Sequence, residues 1–515
     1  MLKWDDNHYP SNNARLIDLL LDIEDKPLKK ITEETQQLFN QIRKQVSPQT
    51  TTRKKTLQER FWSLISTDFT IDDKKEIGFQ VEENQIYPYW KKELDRQYDR
   101  LQKVTGNYIS VTEFGARGDG QTDSTAAFKK AFGNGGKKIF VPEGVYIVKG
   151  LNLPSWTRLV GAGKGKTVIR LHDDAPRRRT LLANKNPISG NRNISVEGLT
   201  LDWNIERLDP TQKSATGNNF SSCLTFANVQ NGWVKNVEAI NPGLHCFDIS
   251  SSFYSYAGDG TKAKGGSQYV WLDQVTGYGF GDDGVTTHHS DFIFISNSHF
   301  HDPGGRSHKK GFSNSNGFEI DDGSRRVWLV NNSSARCFGG VEIKAHATSS
   351  AAAGVHISGH LSVNDNRAFN FRHIGHHHAE DDESKSAFTI TAQKLVAIHP
   401  VHTELYKNSS PRALVVSGYR NVAVNRFLFA GDPDYDYRGE TAASVQFRAG
   451  NVALANGRIQ GFRSAKTDLT IASGEKNVRN VLVQNVHSYN SASEMLDLGN
   501  DDSTVQINNI LRAET

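Results

Sequence analysis

The sequence has few of the residues that build disulfide frameworks, thiolate metal sites or membrane spans. Its 515 residues include three cysteines, Cys223, Cys246 and Cys337, and none of them forms a CxxC pair. This spacing disfavours a disulfide framework and a zinc site, and predicts buried thiols. No run approaches the roughly 18 consecutive apolar residues of a membrane span, and the first residues lack the apolar core of a signal peptide. We therefore expect a protein made in the cytoplasm and not inserted into a membrane.

The sequence also has no large excess of charge of one sign. There are 61 Lys and Arg residues against 57 Asp and Glu residues, which gives a formal net charge of +4. This excess is too small to predict nucleic acid binding. By contrast, 44 glycines and 10% aromatic residues indicate a folded chain with many tight turns rather than a disordered one.

The first hundred residues have the periodicity of helices. Apolar residues recur at spacings of three and four at Leu16, Leu19, Leu20 and Ile23, and a similar pattern covers residues 31–46. Further helical runs are predicted over 56–65 and 89–101. This region is either a helical domain packed on its neighbour or a docking and oligomerisation segment, because amphipathic helices ahead of a solenoid often form bundles. We slightly favour the second alternative and place it at residues 1–106.

After residue 107 the pattern changes to short alternating strands followed by Asn, Ser or Gly. Strand starts at 270, 292, 327 and 355, and again at 422, 452 and 481, lie 22 to 35 residues apart. Repeats of this length with β-branched residues and turns indicate a β-solenoid rather than a helical one. We predict an all-β fold for residues 107–515, a right-handed single-stranded parallel β-helix. In such a fold, equivalent residues on successive coils form ladders about 4.8 Å apart.

One segment resembles a known superfamily. Residues 111–128 read VTEFGARGDGQTDSTAAF and are followed by IFVPEGVY at 139–146 and LVGAG at 159–163. This succession is similar to the start of pectate-lyase-superfamily β-helices, where it forms a strand, a Gly/Asp turn and the helix that caps the solenoid. The resemblance implies the fold but does not specify the reaction, because lyases, hydrolases and phage tailspikes share it.

A narrower pattern resembles the polygalacturonase-type glycoside hydrolases. The motif GDDG at 281–284 is followed by His308 and by EIK at 342–344. The family has paired aspartates, a histidine and Arg-Ile-Lys in one cleft. Here Glu342 replaces the arginine, and the family's upstream Asn-Thr-Asp has no clear counterpart.

A longer set of motifs resembles the appendage proteins of small tailed Bacillus phages. It consists of DDGVTTHH at 282–289, GFEIDDGS at 317–324 and EIKAH at 342–346. The resemblance implies a homotrimeric virion adsorption protein that binds and degrades wall teichoic acid. It covers roughly residues 108 to 400.

Spacing alone brings four segments into alignment, at 284–288, 317–321, 340–344 and 368–372. Alternation along a strand predicts that Val285, Phe318, Val341 and Phe369 fill the core. The outward residues then form two ladders: Thr286, Glu319, Glu342 and Asn370 in one, and His288, Asp321, Lys344 and Arg372 in the other. Asp248 on an earlier coil extends the same face. A soluble β-helix needs polar outer residues, so a solvated face is the alternative to a site.

These residues have the composition of a hydrolytic site. Stacked carboxylates repel, so one is expected to stay protonated as a general acid while its partner activates water, with Asp282, Asp283, Glu319 and Asp321 as candidates. For a phosphodiester, His288 or His308 would act as acid or base, and Lys344 would stabilise phosphoryl charge. The candidate substrate-binding residues are Asp248, Arg306, Lys309, Glu342, His346 and Arg372. No cofactor is required by this chemistry, although the carboxylates could hold Ca²⁺ or Mg²⁺.

Cationic residues near these positions predict an anionic polymer as the substrate. The first hypothesis is a phage or prophage tailspike depolymerase that hydrolyses wall teichoic acid, made in the host cytoplasm without a signal peptide, located in the virion and attached to it through the N-terminal region. The second is a polygalacturonase-like hydrolase, or a lyase, acting on a uronate-rich polysaccharide. The third is a non-catalytic receptor-binding spike.

Overall fold

The computed structural model describes residues 8–43, 57, 60–61, 64, 66–68, 78–217, 220–254, 261–345, 351–373, 383–384, 386–471, 478–499 and 505–513. The chain divides into two compact units. Unit 1 comprises Met1–Pro88, Ser255–Ala263 and Ile320–Thr515, and unit 2 comprises Tyr89–Tyr254 and Lys264–Glu319.

The α-helices of the described residues are α1 (Asn13–Leu21), α2 (Leu28–Ile42), α3 (Lys91–Thr105) and α4 (Thr125–Phe132). None of them is long and apolar enough to cross a membrane. The first strands are β1 (Ser66–Asp68), β2 (Phe79–Glu82), β3 (Gln85–Pro88), β4 (Tyr108–Ser110), β5 (Asp119–Asp123), β6 (Lys137–Val141), β7 (Gly144–Val148), β8 (Leu151–Leu153), β9 (Thr157–Gly161), β10 (Thr167–Leu171), β11 (Leu182–Asn184) and β12 (Asn191–Asp202). The next are β13 (Leu224–Ala227), β14 (Val229–Ile240), β15 (Phe247–Ser250), β16 (Thr261–Ala263), β17 (Gln268–Asp273), β18 (Thr276–Tyr278), β19 (Val285–Thr287), β20 (Asp291–Ser296), β21 (His299–His301), β22 (Asn316–Ile320), β23 (Arg325–Ala335) and β24 (Gly339–Lys344). The last are β25 (Ala353–Val363), β26 (Arg367–Arg372), β27 (Phe388–Ile398), β28 (Arg412–Ser417), β29 (Arg420–Ala430), β30 (Thr441–Gln446), β31 (Gly450–Gln460), β32 (Thr467–Ile471), β33 (Arg479–Tyr489), β34 (Glu494–Asp497) and β35 (Val505–Ala513).

The predicted fold class, a right-handed parallel β-helix, is confirmed. In unit 1, β25, β27, β29, β31 and β33 pair in parallel, and β24, β26, β28, β30 and β32 form a second parallel sheet. The register stacks Val355, Ile390, Val422, Val452 and Val481 on successive coils, and all five side chains are buried. Apolar residues at one position of each coil therefore build a continuous core.

Each long strand of unit 1 turns a corner at a residue in the left-handed conformation. These residues include Gly359, Lys394, Arg426, Asn456 and Asn485, with φ values between 52° and 85°. Asparagine tolerates this conformation better than most residues, because its short side chain bonds locally. The Asn485 amide donates to Oδ1 of Asn456 at 3.0 Å. Stacked asparagines thus stabilise the corners as well as permitting them.

Helices α1 and α2 lie on the outer face of the unit 1 sheet. Ile17 is fully buried against Leu361, Val396 and Leu428. Burial of one such side chain contributes roughly 1.5–3 kcal/mol. In α2, Leu38, Phe39 and Ile42 pack against Ala423, Ala453 and Leu482. Both helices are therefore packed on their neighbour, and their role in docking or oligomerisation stays a prediction.

Unit 2 repeats the same architecture. Strand β12 pairs in parallel with β14, and β8, β11, β13, β15 and β19 form its second sheet. Helix α3 covers this unit through Leu94 and Leu101, which pack against Trp233. The helix predicted over 56–65 falls largely outside the described residues. The three cysteine thiols are buried, as predicted.

Candidate functional site

Two adjacent aspartates occupy the turn between β18 and β19 in unit 2, and glycines flank them. A Cβ on Gly281 would lie 2.2 Å from the Gly243 carbonyl oxygen, and one on Gly284 would lie 2.4 Å from the Phe300 ring. Only glycine therefore allows this close approach. The Asp282 N–H donates to the Leu244 carbonyl at 2.9 Å. The turn is thereby fixed against the preceding coil.

Asp282 is the accessible member of the pair. Its Oδ1 lies 2.7 Å from Nε2 of His308, and the two side chains are 17% and 36% exposed. Burial alone would raise the pKa of Asp282, but the imidazoles of His245 and His308 outweigh it and hold that pKa well below the ordinary range. Among the four candidate carboxylates, Asp282 therefore fits the ionised partner rather than the protonated acid. Its charge is stabilised by two histidines.

Asp283 is buried and held by hydrogen bonds. Its Oδ1 accepts from the backbone N–H of Asn316 at 2.9 Å and from the Asn316 side-chain amide at 3.0 Å. The same amide donates to Oε1 of Glu319 at 3.0 Å, and the Thr286 hydroxyl donates to its Oε2 at 3.0 Å. Glu319 therefore belongs to a buried network that positions Asp283.

His245 is a site residue that the sequence analysis missed. Its Nε2 lies 3.5 Å from Oδ2 of Asp283 and 3.8 Å from Oδ2 of Asp282, so the imidazole bridges the pair. It precedes β15 by two residues and stands three residues before Asp248. The short sequence separation from Asp248 could have identified His245, because side chains of the preceding coil on the same face reach the same turn.

Asp248 and His288 lie next to each other, as the predicted stacking requires. Asp248 pairs in register with Thr286, and its Oδ1 lies 3.5 Å from Nδ1 of His288. The Tyr254 ring packs edge-on against His288, with centroids 4.9 Å apart. Both side chains are buried, so the alternative of a solvated outer face does not apply here. Their interactions with neighbouring coils replace contact with water.

Arg306 and Lys309 have different surroundings. The Arg306 guanidinium donates to the backbone carbonyls of Asp209 and Gln212, at 2.9 and 3.4 Å, and so ties down a loop. Lys309 is exposed, and its ammonium lies 5.0 Å from the centroid of the exposed Phe312 ring. Of the two, only Lys309 is positioned mainly toward solvent.

The remaining predicted residues belong to unit 1. Oε1 of Glu342 accepts from Nε of Arg372 at 2.5 Å, and Oε2 accepts from Asn370 at 2.8 Å. Lys344 pairs in register with Arg372 and is buried, as is Asp321, whose Oδ1 accepts from the Asp322 N–H. Glu342 is also buried, so the alternative of a solvated face does not apply to it. His346 falls outside the described residues.

One nitrogen and two oxygens of the unit 2 cluster could bind a cation. The ligand atoms of His245, Asp282 and Asp283 all lie within 4.8 Å of one another. Ca²⁺ and Mg²⁺ prefer all-oxygen sites, whereas an imidazole with two carboxylates also suits Mn²⁺ or Zn²⁺. The residues therefore fit a divalent cation, with His245 widening the choice beyond the two ions predicted.

The fold and this cluster define a class of protein. Residues 108–342 match the family described as rhamnogalacturonase A/epimerase, pectate lyase-like. The chain is 46% identical over 427 residues to the putative phage-related protein YobO of Bacillus subtilis, covering 83% of this chain and 53% of that protein. It is 41% identical over 407 residues to the pre-neck appendage protein of Bacillus phage phi29, covering 78% of this chain and 46% of that protein.

A solved structure agrees with these relationships. The N-terminal fragment of phi29 gene product 12 superposes with a TM-score of 0.73 at 39% identity, covering 82% of this chain and 69% of the fragment. The chain therefore belongs to the pectate lyase-like family of the phage pre-neck appendage proteins. It spans about half the length of the curated relatives described above.

Proposed function

We propose that this protein is a phage or prophage appendage depolymerase that hydrolyses an anionic polymer of the bacterial surface. The observation that carries the proposal is the 2.7 Å contact between His308 and Asp282. It joins a partly exposed imidazole to a carboxylate that stays ionised. Family membership supports the biological setting, and wall teichoic acid, a polymer of phosphodiesters, is the first substrate to test.

His308 is suited to carry a proton in such a reaction. Asp282 binds Nε2 and stabilises the imidazolium, as an orienting carboxylate does in other hydrolases. In the proposed step, water attacks phosphorus while His308 accepts its proton at Nδ1. The bond between phosphorus and the polyol oxygen breaks, and His308 returns the proton to the leaving oxygen. His245 keeps Asp282 ionised throughout.

Cationic groups would stabilise charge on the phosphoryl oxygens. Lys309 is exposed next to His308 in the sequence and is the first candidate in unit 2. A role for Lys344 and Arg372 of unit 1 remains a prediction. A divalent cation held by His245, Asp282 and Asp283 would act as a Lewis acid.

Glycosidic cleavage is the second candidate function. The family match over residues 108–342 favours it, because the family description names a rhamnogalacturonase. In that case Asp282 would supply the ionised carboxylate that activates water, and His308 would remain its partner. A uronate-rich polysaccharide would be the substrate.

The test uses purified wall teichoic acid and, in parallel, polygalacturonate, with and without chelator. Release of phosphomonoester ends is expected from the first polymer, and Asp282→Asn and His308→Gln should each abolish it. His301→Gln is a matched control, because His301 also contacts an aspartate, Asp302, at 2.6 Å, yet belongs to a different contact pair. Reducing ends from polygalacturonate without phosphate release would support the glycosidase. Binding without turnover of either polymer would indicate a receptor-binding spike.

We further propose, on family membership, that the protein is a homotrimer in the virion and that residues 1–106 serve attachment. Analytical ultracentrifugation of the full chain and of a chain starting at residue 107 tests the trimer, and incorporation of the two chains into virions tests attachment. A trimer that persists without the first segment would remove its assigned oligomerisation role.

A further inference from the structure

A cavity of about 290 Å³ lies in unit 1 beside the turn that joins α1 to α2. Its lining includes Lys26, Arg426, Arg458 and His487, and no Asp or Glu side chain of the described residues lines it. Arg426 is neutralised, because its guanidinium donates to Oε2 of Glu34 at 2.5 Å. The cavity thus retains Lys26, Arg458 and His487 as basic groups.

The basic lining begins where α1 stops covering the sheet. One outer row of the sheet runs through Leu361, Val396, Leu428, Arg458 and His487 in register. The three aliphatic members pack against Ile17 of α1. The next two positions of the row change from apolar to basic. This switch creates a polar site beside an apolar helix contact.

The Arg458 guanidinium has more N–H donors than there are acceptor groups around it. Its guanidinium donates to the Leu20 carbonyl at 3.2 Å, while its Nε is buried and bonds to no group among the described residues. Among the described residues, no carboxylate lies within ion-pair distance of Arg458 or Lys26. A partly buried guanidinium with one neutral acceptor is costly unless an anion completes its hydrogen bonds. The pattern is typical of a site for phosphate or carboxylate.

A second cavity, of about 230 Å³, shares Asn456 and Asn485 with the first. Its lining includes the amides of Gln37, Gln41 and Gln484, and those of Asn425, Asn456 and Asn485, which already bond to one another and to Thr35. Amides donate to and accept from hydroxyl groups. Glu34 lines this second cavity and disfavours an anion there.

We infer that the two cavities form one binding site for a phosphate ester of a polyol or sugar. The phosphate would lie at Arg458, Lys26 and His487. The hydroxyl groups of the ester would bind the amides of Gln37, Gln41 and Gln484. The ester could be a free small molecule or one repeat of a polymer. The site shares no residue with the Asp282 cluster, and its binding function does not require that cluster to be hydrolytic.

The test measures binding of glycerol phosphate and of an undecorated poly(glycerol phosphate) chain to the full protein by calorimetry. Arg458→Gln and Lys26→Met should each weaken binding of at least one probe by about tenfold to a hundredfold, the range expected for a charged hydrogen bond. Lys26 is exposed on a turn, so its variant folds even if the Arg458 variant does not. Arg463→Gln is the control, because Arg463 is exposed and lines neither cavity.

Which probe responds identifies the source of the ester. If the variants bind glycerol phosphate more weakly, the site binds a metabolite. If they bind only the poly(glycerol phosphate) chain more weakly, the site is a polymer subsite. The losses caused by Arg458→Gln and Lys26→Met are expected in an Asp282→Asn background as well, which separates this inference from the proposed hydrolysis. Equal binding by all variants, or no binding by the unaltered protein, would overturn the inference. So would a response confined to an acidic peptide, which would indicate a protein partner.

Discussion

Asp365 is a fully buried carboxylate of unit 1, and we predict that it makes the protein less stable at neutral pH than near pH 4. Its Oδ2 accepts from the hydroxyls of Ser334 and Ser362 at 2.6 and 2.7 Å, and its Oδ1 accepts from the Cys337 N–H at 2.7 Å. Burial raises the pKa of Asp365 from 3.8 to about 6, although these hydrogen bonds oppose the shift. At pH 7 the carboxyl group is therefore ionised, and its ionisation in this buried position destabilises the folded protein.

The sign of the effect follows from proton linkage. Asp365 binds its proton more tightly in the folded than in the unfolded chain, so its contribution to stability is complete below about pH 4. That contribution is lost as the pH rises through about 6. A pKa difference of about two units corresponds to about 3 kcal/mol in the free energy of unfolding. Burial lowers the pKa of neighbouring His360 to about 3, so His360 stays neutral across this window.

Asp365→Asn removes the titration and tests the magnitude. Guanidinium unfolding followed by tryptophan fluorescence gives the free energy of unfolding of both proteins between about pH 4 and 7. The variant should gain about 3 kcal/mol relative to the unaltered protein over that window. Asp434→Asn, at an exposed carboxylate, serves as the control. A difference between variant and unaltered protein that stays constant with pH would refute the assigned cause.

Three further predictions concern single contacts. His245→Gln should raise the pKa of Asp282 and move the acidic limb of the pH–rate profile to higher pH; a limb that stays in place would remove His245 from the mechanism. Asp18→Ala should lower the guanidinium midpoint, at a cost of about 3 kcal/mol, because Lys394 lies 2.5 Å away and is buried; an unchanged midpoint would show that this ion pair is not stabilising. Asn456→Val should destabilise the protein by about 1–2 kcal/mol more than Asn456→Gly, since φ is 54° there and both variants lose the same side-chain hydrogen bonds; equal midpoints would contradict the strain.

The core of the β-helix was predictable because its repeat is local. Alternation along a strand predicted that Val285, Phe318, Val341 and Phe369 point inward, and all four are fully buried. One coil was missed. Strand β27 has Ala392 where the neighbouring coils have Ile357 and Val424, which weakens its apolar pattern, although Ile390 occupies the core ladder.

The placement of the helices could not be predicted. Periodicity indicated helices near residues 16–23 and 89–101, and the structure has α1 and α3 there. Their apolar faces do not specify a partner, because a helix face packs on another helix or on a sheet with similar composition. The contact of Ile17 with the sheet depends on which outer rows are apolar, and this is known only once the coils are in register.

The candidate site was only partly predictable, because its contacts also depend on the register of the coils. The paired aspartates and His308 were identified by their order along the chain, and the structure joins Asp282 to His308. Their protonation was not predictable, because it depends on how close His245 comes from the preceding coil. Sequence spacing gives which residues share a face, but not the distances that set a pKa.

The division of roles within the unit 2 cluster follows from burial. Asp283 is 1% exposed and receives two hydrogen bonds from Asn316, which also binds Glu319. In the proposed reaction we therefore assign Asp283 a positioning role toward His245. We predict that proton transfer takes place at Asp282 and His308, the two groups that keep solvent access. Substitutions at Asn316 should alter the pH dependence of turnover rather than remove a reacting group.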